Sequence, residues 1–384
     1  EMHRSLVGSE MCIRVRNNIH LLHLVFMRTA SKRISFKGQK IYIGIDVHKK
    51  SWTVTVLSES GYRKRFSQPP SARALLSFLQ EHLPEGEYHA VYESGFTGFS
   101  TYYALEQCGI RCIVTHAADV PSGQKEKITK TDAVDSMKLA RELSKGNLKG
   151  IYVRKKESLD DRSLLRVRKA IQKNLCGHLS RVKHLLHTNG VEYPERFRKS
   201  TTHWSRNFMS WLREEVKLLS PTKESLLSLL DIVDSLRKNL LAVTAKIRRL
   251  SRTAPYAQPC AQLCTVPGFG MLSAMTFLVE IGDFSRFTNE RDFAGYLGLV
   301  PMCHDSSEKI SSREMTFRGN HYLSSILVEA SWKAVALDKG MSLYFAEKCK
   351  TMKKNKAIIR VARKMSNRIL SMMKSGENYE YDKL

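Results

Sequence analysis

The sequence predicts an α/β domain in the first part of the chain, followed by a helical, coiled-coil-like region and a mainly α-helical C-terminal domain. Three observations lead to this prediction. Short apolar segments rich in β-branched residues lie between residues 41 and 115. A segment rich in Leu, Lys and Arg runs from about residue 159 to residue 250. Gly- and Pro-containing turns between short helical segments follow from residue 263.

The order of the elements in the α/β part indicates its fold. The predicted strands are residues 41–48, 51–57, 61–66, 88–93 and 111–115. Helices are predicted over residues 71–82 and in a segment that ends at Cys108. Three consecutive strands, then a helix, a strand, a helix and a strand, is the element order of an RNase H-like fold.

A repeated apolar spacing predicts the helical region. Steps of three and four residues separate Leu226, Leu229, Val233, Leu236, Leu240, Val243, Ile247 and Leu250. That spacing is typical of an amphipathic or coiled-coil helix. Pro255 and Pro259 indicate a linker after it, and a basic helix is predicted over residues 356–364.

These patterns divide the chain into five parts. Residues 1–38 are expected to be a non-native or disordered leader, because residues 6–14 resemble a translated sequencing-adapter fragment; a mildly basic natural extension is the alternative. The parts that follow are an RNase H-like catalytic domain, a helical region, a C-terminal domain with a helix-hairpin-helix-like turn, and a basic helical tail. Their predicted bounds are residues 39–150, 151–254, 255–347 and 348–384.

The charge of the chain indicates a polyanionic partner. The sequence has 63 Lys and Arg against 37 Asp and Glu, a net charge of +26. Nucleic acid is the favoured partner, because each neutralised phosphate releases condensed counterions; a merely solvated basic surface is the alternative. No apolar run of membrane-spanning length occurs. Eight scattered cysteines favour reduced thiols in a cytoplasm.

Four acidic residues are candidates for a metal site. Asp46 lies on the first predicted strand, Glu93 ends a later one, and Asp132 and Asp135 open a helix three residues apart, on one helical face. Magnesium prefers hard oxygen ligands, and phosphate chemistry uses several carboxylates from different elements. Each acid alone is more typical of a turn or a helix cap, so the interpretation depends on all four together.

These acids stand in segments that resemble the DEDD signature of one insertion-sequence transposase family. The segments are Ile43-Gly-Ile-Asp-Val-His48, Tyr92-Glu93 before Gly95, and Lys130-Thr-Asp-Ala-Val-Asp135. The resemblance extends over about residues 41–370. It implies a RuvC-like N-terminal domain whose four acids bind Mg²⁺ at the scissile phosphate.

The resemblance also implies partners and a cell type. Enzymes of that family use an element-encoded bridge RNA that pairs with donor and target DNA. A homo-oligomer, either a dimer or a tetramer, is implied, in which the serine of one subunit meets the carboxylates of another. The expected location is the cytoplasm of a bacterial or archaeal cell, with no membrane partner.

A glycine-rich turn, Val266-Pro-Gly-Phe-Gly270, is predicted to form a helix-hairpin-helix turn. Backbone N–H groups at such a turn can hold a DNA phosphate, which makes Gly268 and Gly270 candidate DNA-binding residues. A tight turn between helices with no ligand is the alternative.

A candidate nucleophile follows in Gly298-Leu-Val-Pro-Met-Cys-His-Asp-Ser-Ser-Glu-Lys309, with Phe317-Arg-Gly-Asn320 after it. This module is similar to the second characteristic module of the same family, in which a serine attacks the DNA phosphate. Ser306 matches the nucleophile by position, and Ser307 competes with it while standing where a Gly is usual. Loss of that glycine restricts the backbone nearby. His304 and Arg318 are candidate phosphate or acid–base partners.

The sequence therefore predicts a DNA recombinase that joins strands through a magnesium-assisted serine, with Asp46, Glu93, Asp132, Asp135 and Ser306 as catalytic residues. Two alternatives stay open. One is a RuvC-like, structure-specific endonuclease that uses the same acids with water as nucleophile. The other is a decayed transposase that binds nucleic acid without chemistry.

Overall fold

The computed structural model describes residues 35–121, 131–300 and 319–382. Two compact units meet in the sequence between Val153 and Arg154. The first unit contains β1 (Lys40–Val47), β2 (Trp52–Ser58), β3 (Arg63–Gln68), α1 (Ala72–His82), β4 (Glu87–Glu93), α2 (Ser100–Gln107), β5 (Arg111–Thr115), a 3₁₀ turn (Ala117–Asp119) and α3 (Asp132–Ser144). These bounds agree with the predicted strands and helices to within two residues at most ends.

The sheet of the first unit has the strand order β3-β2-β1-β4-β5. β1 pairs antiparallel with β2 and parallel with β4, while β3 and β5 form the edges. β1 therefore lies in the middle, which explains its continuous apolar sequence. This mixed α/β sheet is consistent with the predicted RNase H-like fold.

The two faces of this sheet carry different helices. Ile41, Ile43 and Ile45 of β1 are fully buried in a core with residues of α1 and α2. α1 begins at the cap Ser71, whose hydroxyl accepts a hydrogen bond from Ala74 N. The alternate residues of β1 face α3 on the other side, because strand side chains alternate.

The structure describes the chain from residue 35, inside the segment 1–38 that was predicted to be a leader, and the leader itself stays a prediction. Phe36 is only 3% exposed and belongs to the core of the first unit. Its backbone N–H also donates to Pro84 O at 3.2 Å. The folded chain thus includes Phe36, which lies before the predicted start at residue 39; residues 1–34 are outside the described part.

The second unit is helical, as predicted. Its helices are α4 (Lys156–Thr188), α5 (Arg206–Glu214), α6 (Ser220–Leu250), α7 (Ala257–Leu263), α8 (Met271–Ile281), α9 (Glu290–Tyr296), α10 (His321–Leu337), α11 (Lys339–Cys349) and α12 (Lys354–Ser375). Short 3₁₀ turns occupy Glu195–Phe197 and Ser200–Thr202.

α4 and α6 form an antiparallel hairpin that spans two separate cores. Near the tip, Val182 of α4 packs in one core with Leu226 and Val233 of α6. At the base, Leu165 and Ile247 pack in a second core. The repeated apolar spacing on α6 predicted this packing, since it gives the helix one apolar face.

The base core continues into the C-terminal part of the chain. It joins Leu165 and Ile247 to residues of α8, α10 and α12, such as Phe277, Leu327 and Val361. The segment around Pro255 thus forms a turn between α6 and α7 of one compact unit, whereas Pro259, also predicted to lie in a linker, is part of α7. The boundaries predicted at 254/255 and 347/348 stay predictions. No helix within the described ranges has the length and apolar content of a membrane span.

Candidate metal centre

The position of Asp46 follows from its place on β1. The strand pairs Ile45 with Val54 of β2 and with Tyr92 of β4. Asp46 is next along the strand, so its side chain lies on the opposite face from Ile45, the face covered by α3. The carboxylate is therefore placed where a central strand ends, with a side chain 24% exposed.

Gly44, two residues before Asp46, allows α3 to approach β1 closely. A Cβ built on Gly44 would lie 2.0 Å from Ser136 O and 2.5 Å from Ala140 N. The Ser136 hydroxyl is also 2.9 Å from the Thr55 hydroxyl, in a buried contact between α3 and β2. This packing brings the first turn of α3 to the end of β1.

Asp46, His48 and Asp132 come together at this point. His48 Nε2 lies 3.2 Å from Asp46 Oδ2 and 3.3 Å from Asp132 Oδ2. One ligand atom from each of the three residues falls within 4.8 Å of the others. Asp132 is the first residue of α3, whose cap Thr131 accepts a hydrogen bond from Val134 N. The cap fixes where α3 begins and therefore where Asp132 stands.

Glu93 and Asp135 lie near this group but outside it. Ile45 pairs with Tyr92 in parallel register, so Asp46 and Glu93 follow the last paired residues on adjacent strands. Val91 packs against Leu139 of α3. Glu93 is two residues later on β4 and thus on the same face of the sheet. The structure places all four predicted acids at one edge, on the side of α3.

The electrostatics of Asp46 reflect this crowding. Burial raises the pKa of Asp46, and the charges of Asp132 and Asp135 raise it further. His48 lowers the pKa by its charge and hydrogen bond, but the net shift is upward. Carboxylates that disfavour each other's charge in this way are relieved by a bound cation.

The donor set fits a divalent cation. Carboxylate oxygens suit hard ions such as Mg²⁺, and an imidazole nitrogen extends the choice to transition-metal ions. The side chain of Asp132 is 61% exposed, so a phosphate ligand can reach the group from solvent. The arrangement can hold a cation next to a phosphodiester.

His48 was not among the predicted site residues. The available signal was its spacing: residues two apart near the end of a strand lie on the same side. Histidine is also a common metal ligand. Its position in Ile43-Gly-Ile-Asp-Val-His48 could therefore have identified it.

Gly268 and Gly270 lie in the predicted turn between α7 and α8. Gly268 has φ +81°, and a Cβ there would lie 2.8 Å from Ala330 Cα. The need for glycine at position 268 is therefore explained by close packing against α10. This agrees with the alternative, in which the segment is a tight turn between helices with no ligand. Gly270 caps α8 without a side-chain hydrogen bond. DNA binding by these two residues stays a prediction.

The proposed nucleophile Ser306, its competitor Ser307, and His304 and Arg318 lie outside the described residues. The structure does describe both flanks of that segment. Gly298 and Gly319 are in contact, since a Cβ on Gly319 would lie 2.1 Å from Gly298 Cα. Asn320 N donates to Tyr296 O at 2.8 Å. The two ends of the segment therefore meet.

A buried acid supports these flanks and was also missed. Glu280 of α8 is fully buried and is bonded by Arg162 Nε at 2.9 Å and Arg166 Nε at 2.8 Å. Asn320 Nδ2 donates to it at 3.3 Å. Burial alone would raise the pKa of Glu280, but Arg166 and Arg162 outweigh it and hold the pKa below its usual value. No local pattern marks this residue, because its partners Arg162, Arg166 and Asn320 lie far from it in the sequence.

A mixed sheet of this order, with acids at the ends of two parallel strands, is consistent with an RNase H-like domain of the DEDD kind. A DEDD transposase domain of the IS110 type, described as "Transposase", matches residues 43–189. A second domain, described as "Transposase IS116/IS110/IS902 family", matches residues 260–346. The chain is a transposase, and it belongs to the IS110/IS116 family.

Curated relatives match most of the chain. The transposase for insertion sequence element IS1533 of Leptospira borgpetersenii is 27% identical over 306 residues, 77% of this chain and 85% of the relative. The y4qE protein of Sinorhizobium fredii is 25% identical over 313 residues, 77% and 72% of the two chains. The transposase for IS1111A of Coxiella burnetii is 23% identical over 257 residues, 66% and 69% of the two chains.

Proposed function

We propose that this transposase cuts and joins DNA with Mg²⁺ held by Asp46, Glu93, Asp132 and Asp135. The observation that carries the proposal is the meeting of Asp46, His48 and Asp132, with one ligand atom of each within 4.8 Å of the others. Three elements that are distant in the sequence supply these groups. A structural role does not require so many mutually repelling carboxylates at a solvent-accessible edge.

In this proposal, Asp46, Asp132 and His48 have different roles. Asp46, on the rigid central strand, fixes the position of the centre, and Asp132 contributes from the exposed first turn of α3. His48 holds the two carboxylates in their present orientation through Nε2. When bound, Mg²⁺ supplies stabilisation of the negative charge that develops on the phosphate.

The nucleophile in this proposal is Ser306. Its support is its position in the motif after Pro301, inside the family match over residues 260–346. The serine Oγ forms a bond to phosphorus and gives its proton to a base or to water. The bond from phosphorus to one deoxyribose oxygen breaks, and that oxygen takes a proton from water and leaves as a hydroxyl group. The phosphoserine ester keeps the phosphodiester energy, so a second DNA hydroxyl can displace the serine and complete joining.

Guidance by a bridge RNA, with donor and target DNA as substrates, is the remaining part of the proposal. Its support is the resemblance of the DEDD segments and the net charge of +26, which favours polyanionic partners. A homo-oligomer that brings the serine of one subunit to the carboxylates of another, in the cytoplasm, belongs to the same proposal.

The experiment is a strand-joining assay with purified protein, a structured RNA from the flanks of the element, donor and target DNA, and Mg²⁺. Asp46→Asn and Asp132→Asn are expected to abolish both cleavage and joining. Glu81→Gln on α1 is the matched control, because its exposed carboxylate lies on the other face of the sheet. Retained joining in Asp46→Asn would exclude the proposed centre.

The serine is tested separately by the covalent adduct. Ser306→Ala is expected to lose the protein–DNA adduct seen on denaturing gels, together with joining, while Ser307→Ala keeps both. Cleavage without an adduct in Ser306→Ala would instead favour the endonuclease with a water nucleophile. DNA joining that is unchanged without RNA would contradict guidance by a bridge RNA, but not the proposed carboxylate centre or the serine nucleophile.

A further inference from the structure

A dense group of cations lies where α11 ends and α12 begins. Residues 348–364 contain eight Lys and Arg and no Asp or Glu. We call this group the α12 basic surface. Its members are Lys348, Lys350, Lys353, Lys354, Lys356, Arg360, Arg363 and Lys364.

The cations from the two helices converge around Tyr344. Lys348 Nζ lies 5.0 Å and Lys364 Nζ 4.7 Å from the centre of the Tyr344 ring. The pKa of the exposed Glu347 is lowered by a hydrogen bond from Lys348 and by the charges of Lys348, Lys350 and Lys364. The surface is therefore one cluster in space as well as in sequence.

Most of this charge is not neutralised within the part of the chain that the structure describes. There, Lys348 pairs with Glu347 at 2.9 Å, and no other member of the surface has a carboxylate partner. The first turn of α12 also has no acidic residue, and its cap Lys353 makes no side-chain hydrogen bond. The N-terminus of a helix carries a partial positive charge, so cations at this end of α12 are destabilising. Such an arrangement is stabilised when an anion binds.

The surface rests on a rigid helix. Ala357, Ile358, Val361 and Met365 of α12 are buried in the core of the second unit. The cations at 353, 356, 360 and 364 follow steps of three and four residues, so they share one face. That row is about 16 Å long at the rise of an α-helix. Over the same length of duplex axis, each DNA strand carries about five phosphates.

We propose that the α12 basic surface binds the phosphate backbone of duplex DNA, independently of sequence. Single-stranded nucleic acid is disfavoured as the occupant, because it is usually bound by free aromatic rings that stack on bases. The Tyr344 ring is instead approached by two ammonium groups. The choice of DNA over duplex RNA rests on the proposed function.

The test measures binding of a labelled 30-base-pair DNA in EDTA, with the full-length chain carrying Asp46→Asn. Because no catalysis occurs, failure of the proposed chemistry cannot affect this result. The test variant also carries Lys350→Gln, Lys353→Gln, Lys356→Gln and Arg360→Gln. We expect affinity to fall about tenfold or more, and the slope of log K against log salt to decrease by about 3 to 4.

The matched control removes the same charge from exposed cations of the helical hairpin region. It carries Lys199→Gln, Arg206→Gln, Lys217→Gln and Lys238→Gln. We expect less than a twofold change in affinity. A second variant, with Lys350, Lys353 and Lys356 replaced by Arg, is expected to bind DNA with the affinity of the parent. Thermal melting checks that each variant folds.

Three results would overturn the proposal. The first is unchanged DNA affinity in the test variant. The second is an equal loss in the control variant, which would show that only net charge matters. The third is loss of binding to an RNA duplex of the same sequence while DNA binding stays intact, which would identify RNA as the occupant.

Discussion

Gly44 on β1 lies directly against the backbone of Ser136 on α3, so that a Cβ on Gly44 would be 2.0 Å from the Ser136 carbonyl oxygen. The carboxylates of Asp46 and Asp132 meet because this contact has no side chain in it. The proposed metal centre thus requires a residue without a side chain at position 44, two residues before Asp46.

Gly44→Ala is expected to move α3 away from β1. Overpacking of this kind costs about 1–3 kcal/mol of stability. We expect a lower unfolding free energy in urea and weaker stabilisation by Mg²⁺. Gly177→Ala is the control, because nothing lies within 4 Å of a Cβ at that helical position. A Gly44→Ala protein that equals the parent in both measurements would contradict the role of this contact.

Asp46→Asn is expected to raise the melting temperature of the metal-free protein near neutral pH. The raised pKa of Asp46 means that its charged form is disfavoured in the folded state. The folded state then holds the proton more tightly than the unfolded state, so stability falls as pH rises through this pKa. The uncharged Asn removes that cost.

The same variant is expected to lose the rise in melting temperature that Mg²⁺ gives to the parent. Asp132→Asn, whose carboxylate is more exposed, should also lose this response but change the metal-free melting temperature little. Differential scanning fluorimetry in EDTA and in Mg²⁺ measures both effects. A metal-free Asp46→Asn protein that melts below the parent would contradict the assigned cause.

Glu280→Gln is expected to destabilise the second unit by about 3 kcal/mol, since it removes one charge of a buried ion-pair group. The lowered pKa of Glu280 sets the pH dependence. The stabilisation is present above the ordinary pKa of a glutamate and is lost as pH falls through the lowered pKa.

Urea unfolding of parent and variant between pH 7 and pH 3 measures this difference, which should shrink toward the acid end. Arg196→Gln breaks an exposed pair with Glu215 and serves as the control, with an expected cost of about 0–1 kcal/mol. A constant difference across the pH range would point to lost packing rather than lost charge.

Gly319→Ala is expected to separate Gly319 from Gly298, because the new Cβ would lie 2.1 Å from Gly298 Cα. We expect the rate of DNA joining to fall about tenfold or more, because a reacting group would be misplaced. The rise in melting temperature that Mg²⁺ gives to the first unit should be kept. Gly295→Ala, which has nothing within 4 Å of its Cβ, is the control. Joining at the parent rate in folded Gly319→Ala protein would refute the prediction.

Local pattern in the sequence predicted the strands, the helices and the positions of the four acids, because alternation and helical spacing are properties of neighbouring residues. It did not predict why Asp46 and Asp132 meet. Gly44 and the pair Glu280–Arg166 depend on residues about 90 and 110 positions away, and such contacts leave no local signal. His48 had a local signal that could have been used, whereas the burial of Phe36 depends on core residues that lie far from it in the sequence.

The hairpin of α4 and α6 joins two cores that share no residue. Between Leu165 in one core and Val182 in the other, α4 advances about 25 Å at the rise of an α-helix. Because the helices run antiparallel, removing two turns from each would bring the cores about 10 Å closer and leave both unchanged. The length of the hairpin thus sets the distance between the two cores. Evolution or design can change this distance in whole helical turns.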